Sequence, residues 1–199
     1  MIRMGLNAGI IGLPNVGKTT VFNAVIKAKM PASNYPFATI EPNVGVVEVP
    51  DWRMEKLIEI YKPRKDAYTS FELTDVAGLV RGSSKGEGLG NQFLSFIRNC
   101  DSLCQVVRCF TDPNVLHVEG SVDPIRDIET IKLELIFADL EVVEKRMPKI
   151  EKRAQTKADR EAVEEYQVLC KLHDQLMAGS PIRSLQLTKE ELKIIKNFS

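Results

Sequence analysis

Apolar residues come in short blocks as far as Phe110 and in a helical rhythm beyond Pro124. The run 6–11 (LNAGII) is almost continuously apolar and ends before a glycine, which predicts a short strand buried on both faces. Thr19 to Lys29 has helical spacing and meets Met30-Pro31, where the proline ends it. Residues 44–49 predict a second strand, and Asp51 is placed to cap a helix reaching Tyr61. A third strand is predicted over 69–75, a Gly- and Ser-rich loop over 78–90, a helix over 91–99 and a fourth strand over 103–110. Strands alternating with helices predict an α/β fold with a mostly parallel sheet.

From Pro124 to Met177 no strand pattern occurs. Ile136, Leu140, Val143, Met147, Ile150 and Ala154 recur at alternating spacings of four and three, as do Ala162, Tyr166, Leu169, His173 and Leu176. Such spacing predicts two helices packed antiparallel as a coiled-coil hairpin. Fourteen of the 25 residues from Glu141 to Glu165 are charged, as a hairpin projecting into solvent requires. Pro148 is expected to interrupt and kink the first helix, and His173 to pack in the seam. Thr188 and Glu191 form a capping box that starts a further helix near Lys189. The expected organisation is therefore a core over 1–124, a helical insertion over 125–178, and a return into the first domain over 179–199.

Composition narrows the classes. At 44% hydrophobic and 27% charged residues the chain is globular, and Lys plus Arg balances Asp plus Glu at 27 each. Zero net charge offers no whole-chain attraction to nucleic acid or an anionic membrane. Four cysteines point to a reducing cytoplasm. Cys100, Cys104 and Cys109 follow at spacings of four and five, unlike zinc or redox pairs, and with Cys170 they are expected to be free thiols, buried among apolar neighbours such as Leu103 and Val106.

Gly12-Leu13-Pro14-Asn15-Val16-Gly17-Lys18-Thr19 fits the phosphate-loop pattern G-x4-G-K-[ST] in full, between a predicted strand and a predicted helix. Gly12 and Gly17 let backbone N–H groups converge on phosphate oxygens, and the helix start adds its positive dipole end. Lys18 supplies a point charge for the β- and γ-phosphates, and Thr19 a hydroxyl ligand for Mg²⁺. Gly12, Asn15, Val16, Gly17, Lys18, Thr19 and Thr20 are the predicted nucleotide contacts. Asp75-Val76-Ala77-Gly78 ends the third predicted strand with an acid able to hold Mg²⁺, followed by a glycine whose amide can meet a γ-phosphate. Together with the phosphate loop and the glycine-rich stretch, this selects the switch GTPase type over kinases and transport ATPases. Thr39, in Pro36-Phe37-Ala38-Thr39, is either a second hydroxyl ligand for Mg²⁺ that closes over the γ-phosphate or an ordinary loop threonine.

The blocks GLPNVGKTT, NYPFATIEPN, DVAGLVRGSSKGEGLGNQFL and HVEGSVDPIRDIE resemble the Obg-like ATPase (YchF) subfamily of translation-factor-related P-loop proteins. The resemblance runs from Leu6 to Ser199. It implies a P-loop NTPase fold of the Ras-like G-domain kind with the hairpin inserted. It also implies Mg²⁺-dependent hydrolysis of a purine triphosphate, with ATP preferred over GTP, by a nucleotide-gated regulator associated with the ribosome. Neither a membrane nor direct DNA binding is expected. A nucleotide-gated binding module with incidental hydrolysis, or a true GTPase, are the competing readings.

The same resemblance assigns further residues and marks departures. Family members read the base through N-x-x-E where GTPases have N-K-x-D. No Asn here is followed three residues on by Asp or Glu, so that motif and the family's TGS domain are expected beyond Ser199. Leu79 stands where Ras-like enzymes have the Gln that orients water, and by resemblance K⁺ held by the Asn15 side chain takes over. Alternatively Asn15 only bonds its own loop. His117 matches a family histidine suggested to assist catalysis beside Lys18 and Gly78, against the plainer reading of a structural loop histidine. The hairpin's basic residues read as a solvated face, or as a contact to ribosomal RNA.

Overall fold

The computed structural model describes residues 6–28, 44–76, 96–155 and 159–196, in two compact units that meet in sequence at Pro124. The expectations at Thr39, Gly78 and Leu79, and most of those for 78–99, lie outside the described residues.

The first unit is built on four strands: β1 (Leu6–Ile11), β2 (Val44–Glu48), β3 (Ser70–Asp75) and β4 (Ser102–Gln105). Their order is β2-β3-β1-β4. β1 runs parallel to both neighbours, with Ile10 opposite Asp75 on one side and Cys104 on the other, while β2 is antiparallel to β3. The central place of β1 explains its composition, because a strand covered on both faces carries apolar residues at consecutive positions. Asn7 through Ile11 are all buried. Helix α1 (Lys18–Ala28) covers the sheet through Phe22, which joins Ala8, Ile10 and Leu73 in one cluster. Helix α2 (Trp52–Tyr61) is capped by Asp51, whose side chain accepts from the Arg53 N–H, as expected. The guanidinium of Arg53 beside it lowers the Asp51 carboxyl to about 2.

Strand β4 is shorter than predicted. Its partner β1 ends at Ile11, and the last rung is the Val106 N–H donating to the Ile11 carbonyl at 2.8 Å. With no strand left to pair, the chain leaves the sheet, the apolar residues as far as Phe110 belong to a loop, and the free thiols of Cys104 and Cys109 are exposed where burial was expected.

The second unit is helical. Helices α3 (Pro124–Ala154) and α4 (Arg160–Met177) share a core of Ile136, Val143, Ile150, Ala162, Val168, Leu169, Leu172 and Leu176. Ion pairs join Arg146 to Glu165 and Arg153 to Asp159, so ascending positions on α3 meet descending ones on α4 and the helices are antiparallel. Burying each leucine of this seam contributes about 1.5–3 kcal/mol. Two expectations need correction. Helix α3 is not interrupted at Pro148 but runs on through it to Ala154. His173 sits at the edge of the seam beside Glu144 and Asp174, and Leu172 fills the buried position.

Helix α5 (Lys189–Ile195) opens with the expected capping box of Thr188 and Glu191. The segment expected to return into the first domain packs here on the hairpin core through Ile182, Leu185, Leu187, Ile194 and Ile195. An ion pair from Lys171 to Glu191 fixes it to α4.

Candidate functional site

The loop 12–17 joins β1 to α1 at the C-terminal edge of the parallel strands, where open α/β sheets place their ligands. Its backbone shape explains its glycines. A Cβ on residue 12 would lie 2.5 Å from the Val106 carbonyl oxygen, a separation real side chains do not tolerate. Gly17 faces open space but has φ +98°, where an L side chain is strained. Between them Asn15 takes φ 60°, a left-handed conformation asparagine accepts better than most residues. Leu13 and Val16 anchor the loop in the core at 2% and 4% exposure.

The phosphate-loop pattern by itself predicts a solvent-facing Lys18 ammonium, yet the residue is buried and its Nζ donates to the carbonyls of Gly12 at 3.1 Å and Leu13 at 2.8 Å. The ammonium satisfies itself on its own loop, because burial without partners would cost several kcal/mol. That burial pulls the Lys18 pKa below the ordinary lysine value, opposed by the attraction of Asp75. The lysine thus closes the loop around the space that the pattern assigns to phosphate.

The two predicted Mg²⁺ ligands in view are brought together. Thr19 Oγ1 donates to Asp75 Oδ2 at 2.7 Å, joining the first turn of α1 to the end of β3. Both donors are hard oxygens, and Mg²⁺ is held by one or two such side chains together with phosphate oxygens and water. Among the described residues no group of three His, Cys, Asp or Glu could hold a metal ion by itself. The hard oxygens of this pair fit Mg²⁺ shared with a phosphate. Thr20 follows on α1, exposed.

A second segment reaches the loop. Asn15 Nδ2 donates to the Leu116 carbonyl at 3.3 Å, which places the backbone preceding His117 beside residue 15. His117 is half-buried, and its Nδ1 accepts from the Glu119 N–H at 3.1 Å. Arg108, which sequence reasoning missed, is almost fully buried and donates to the carbonyls of Phe110, Asp112 and Val115. A signal existed, since Arg108 is the one charged residue between Asp101 and Asp112.

The sequence profile of the 50S ribosome-binding GTPase family matches residues 7–143. The chain is 56% identical over 195 residues to the ribosome-binding ATPase YchF of Bacillus subtilis, covering 98% of this chain and 53% of that protein. It is 50% identical over 196 residues to the Haemophilus influenzae protein of the same name, again covering 98% of this chain and 54% of that protein. A solved structure, that of the Schizosaccharomyces pombe YchF GTPase, superposes with a TM-score of 0.82 at 41% identity, covering 100% of this chain and 54% of that one. The chain spans about half the length of the curated relatives it matches. A phosphate loop of matching sequence and position, the Thr19–Asp75 pair at its edge and a profile match over most of the chain agree, and the chain belongs to the 50S ribosome-binding GTPase family.

Proposed function

We propose that this chain binds Mg²⁺ and a purine nucleoside triphosphate on the loop 12–17, and that the protein hydrolyses the triphosphate by attack of water on its γ-phosphate. The observation that carries the reading is the convergence of Lys18, Thr19 and Asp75 on one edge of the sheet. Backbone N–H groups of Asn15, Val16, Gly17, Lys18, Thr19 and Thr20 cradle the phosphates, with Gly12 leaving room for the turn. Lys18 exchanges its two loop carbonyls for β- and γ-phosphate oxygens. Thr19 and Asp75 hold Mg²⁺, which when bound supplies charge stabilisation at the phosphate oxygens. Thr39 and Gly78 complete the γ-phosphate contacts from the sequence pattern alone.

His117 is the water-positioning candidate, supported by the bond that carries its segment to Asn15. K⁺ on the Asn15 side chain is the other, supported by the absence of Gln at Leu79. ATP is the preferred nucleotide and the ribosome the partner, in the cytoplasm, on the support of the relatives' names and the family's. Phosphate release with Mg²⁺ and ATP tests the reading. Hydrolysis should disappear in Lys18→Ala, rise when K⁺ replaces Na⁺, and lose that rise in Asn15→Ala. Parent-level turnover by Lys18→Ala would refute the site, and equal rates in both salts would leave His117.

A further inference from the structure

The geometry points to Arg108 as a positioning residue that ties the 106–117 segment to the phosphate loop, an inference resting on the nucleotide reading above. Only 2% of the Arg108 surface is exposed. Its guanidinium donates from Nε to the Phe110 carbonyl at 3.1 Å, from Nη1 to Val115 at 2.9 Å and from Nη2 to Asp112 at 3.2 Å. It also lies 4.7 Å from the centre of the Phe110 ring. These charge-assisted bonds to backbone carbonyls offset the burial of the cation and also fix the shape of the segment. A planar fork with five donors can hold three carbonyls at fixed angles, which the single ammonium of a lysine cannot reproduce.

Both ends of the held segment touch the phosphate loop. At its start the Val106 N–H donates to Ile11, and the Val106 oxygen lies against Gly12. At its far end Leu116, the residue after the Arg108-bound Val115, accepts from Asn15 Nδ2. Asn15 keeps its left-handed conformation with that bond in place. Arg108 therefore acts on the phosphate site through Leu116 and Asn15, without reaching a phosphate itself. Loosening it frees the Leu116 carbonyl, releases the Asn15 side chain and lets the loop lose its preorganised shape, an entropic cost that binding must then meet.

The test is a set of Mg²⁺·ATP titrations on the full chain and its Arg108→Lys, Asn15→Ala and double variants, each with a melting curve to establish folding. Arg108→Lys is expected to fold and to bind about tenfold more weakly. Asn15→Ala should weaken binding several-fold alone and add little in the Arg108→Lys background, because both changes break one connection. A merely structural arginine would lower the melting temperature and leave the affinity of the folded protein unchanged. That result, or two effects that simply multiply, overturns the proposal. If Arg108→Lys fails to fold, Asn15→Ala titrated in Na⁺ buffer without K⁺ decides, since Asn15 is exposed and buries no core surface; parent-level affinity in that variant also overturns it. Absence of binding by the parent would instead bring down the nucleotide reading itself.

Discussion

Replacing Gly12 by alanine places a methyl group where the protein has backbone. The new Cβ would lie 2.5 Å from the Val106 oxygen and 3.2 Å from the Val16 side chain, while real Cβ contacts hardly ever fall below 3.0 Å. The phosphate loop and the Val106 segment must therefore part by at least about 0.5 Å, in a region with no slack. Val106 is bonded to Ile11, and Arg108 fixes the chain beyond it. Forced overpacking of this kind costs about 1–3 kcal/mol, and the residue's φ of +153° adds torsional strain of about 1–3 kcal/mol. Against a total stability of about 5–15 kcal/mol, the loss is large but survivable. Gly17→Ala is the control, since nothing lies within 4 Å of its added Cβ and only the strain at φ +98° applies, about 1–2 kcal/mol. Urea unfolding of both variants, followed by ATP titration of the folded protein, separates the two terms. Gly12→Ala should be the less stable of the pair and bind ATP at least about tenfold more weakly than the parent, a shift of about 1.4 kcal/mol or more. A Gly12→Ala protein within about 0.5 kcal/mol of the parent, with unchanged affinity, would refute the close-approach argument.

Lys18 gives a pH prediction with a definite sign. Its folded pKa lies below the ordinary value of 10.5, so the unfolded chain binds more protons between the two and stability gains from this group as pH rises through that window. In Lys18→Met that gain should vanish, as unfolding curves across alkaline pH would show; the same slope in both proteins would contradict it. Triphosphate affinity should fall over the same rise in pH, because a neutral Lys18 no longer attracts phosphate. In the second unit, Leu172→Ala should cost about 2–5 kcal/mol, since the side chain is completely buried in the hairpin core. A loss below about 0.5 kcal/mol in thermal or urea unfolding would show that the seam is misplaced.

Most of the architecture was legible because local signals and tertiary demands agree. The apolar run of β1, the Asp51 cap, the seam of α3 and α4 and the capping box at Thr188 each declare themselves within a few residues. Errors arose where a distant partner decides. The length of β4 depends on where β1 ends, which the sequence of β4 does not contain. His173 and Leu172 are both compatible with the seam's rhythm, and packing between the helices selects the fully apolar side chain. At the site, the motif located Lys18, Thr19 and Asp75, and the last two do meet across 56 positions of chain. The motif did not show that Lys18 turns onto the carbonyls of its own loop. Nor did it show Arg108, whose role follows from carbonyl directions that only a folded loop defines.

The central claim is that Lys18, Thr19 and Asp75 form a site for a triphosphate shared with Mg²⁺. Equilibrium titration of ATP into the chain, with Mg²⁺ present and with Mg²⁺ removed by chelation, tests it most directly. Saturable binding that tightens with Mg²⁺, and a Mg²⁺ effect that disappears in Asp75→Ala while weak binding persists, is the predicted result. Binding that ignores Mg²⁺, or an Asp75→Ala protein with the full Mg²⁺ effect, would contradict the account.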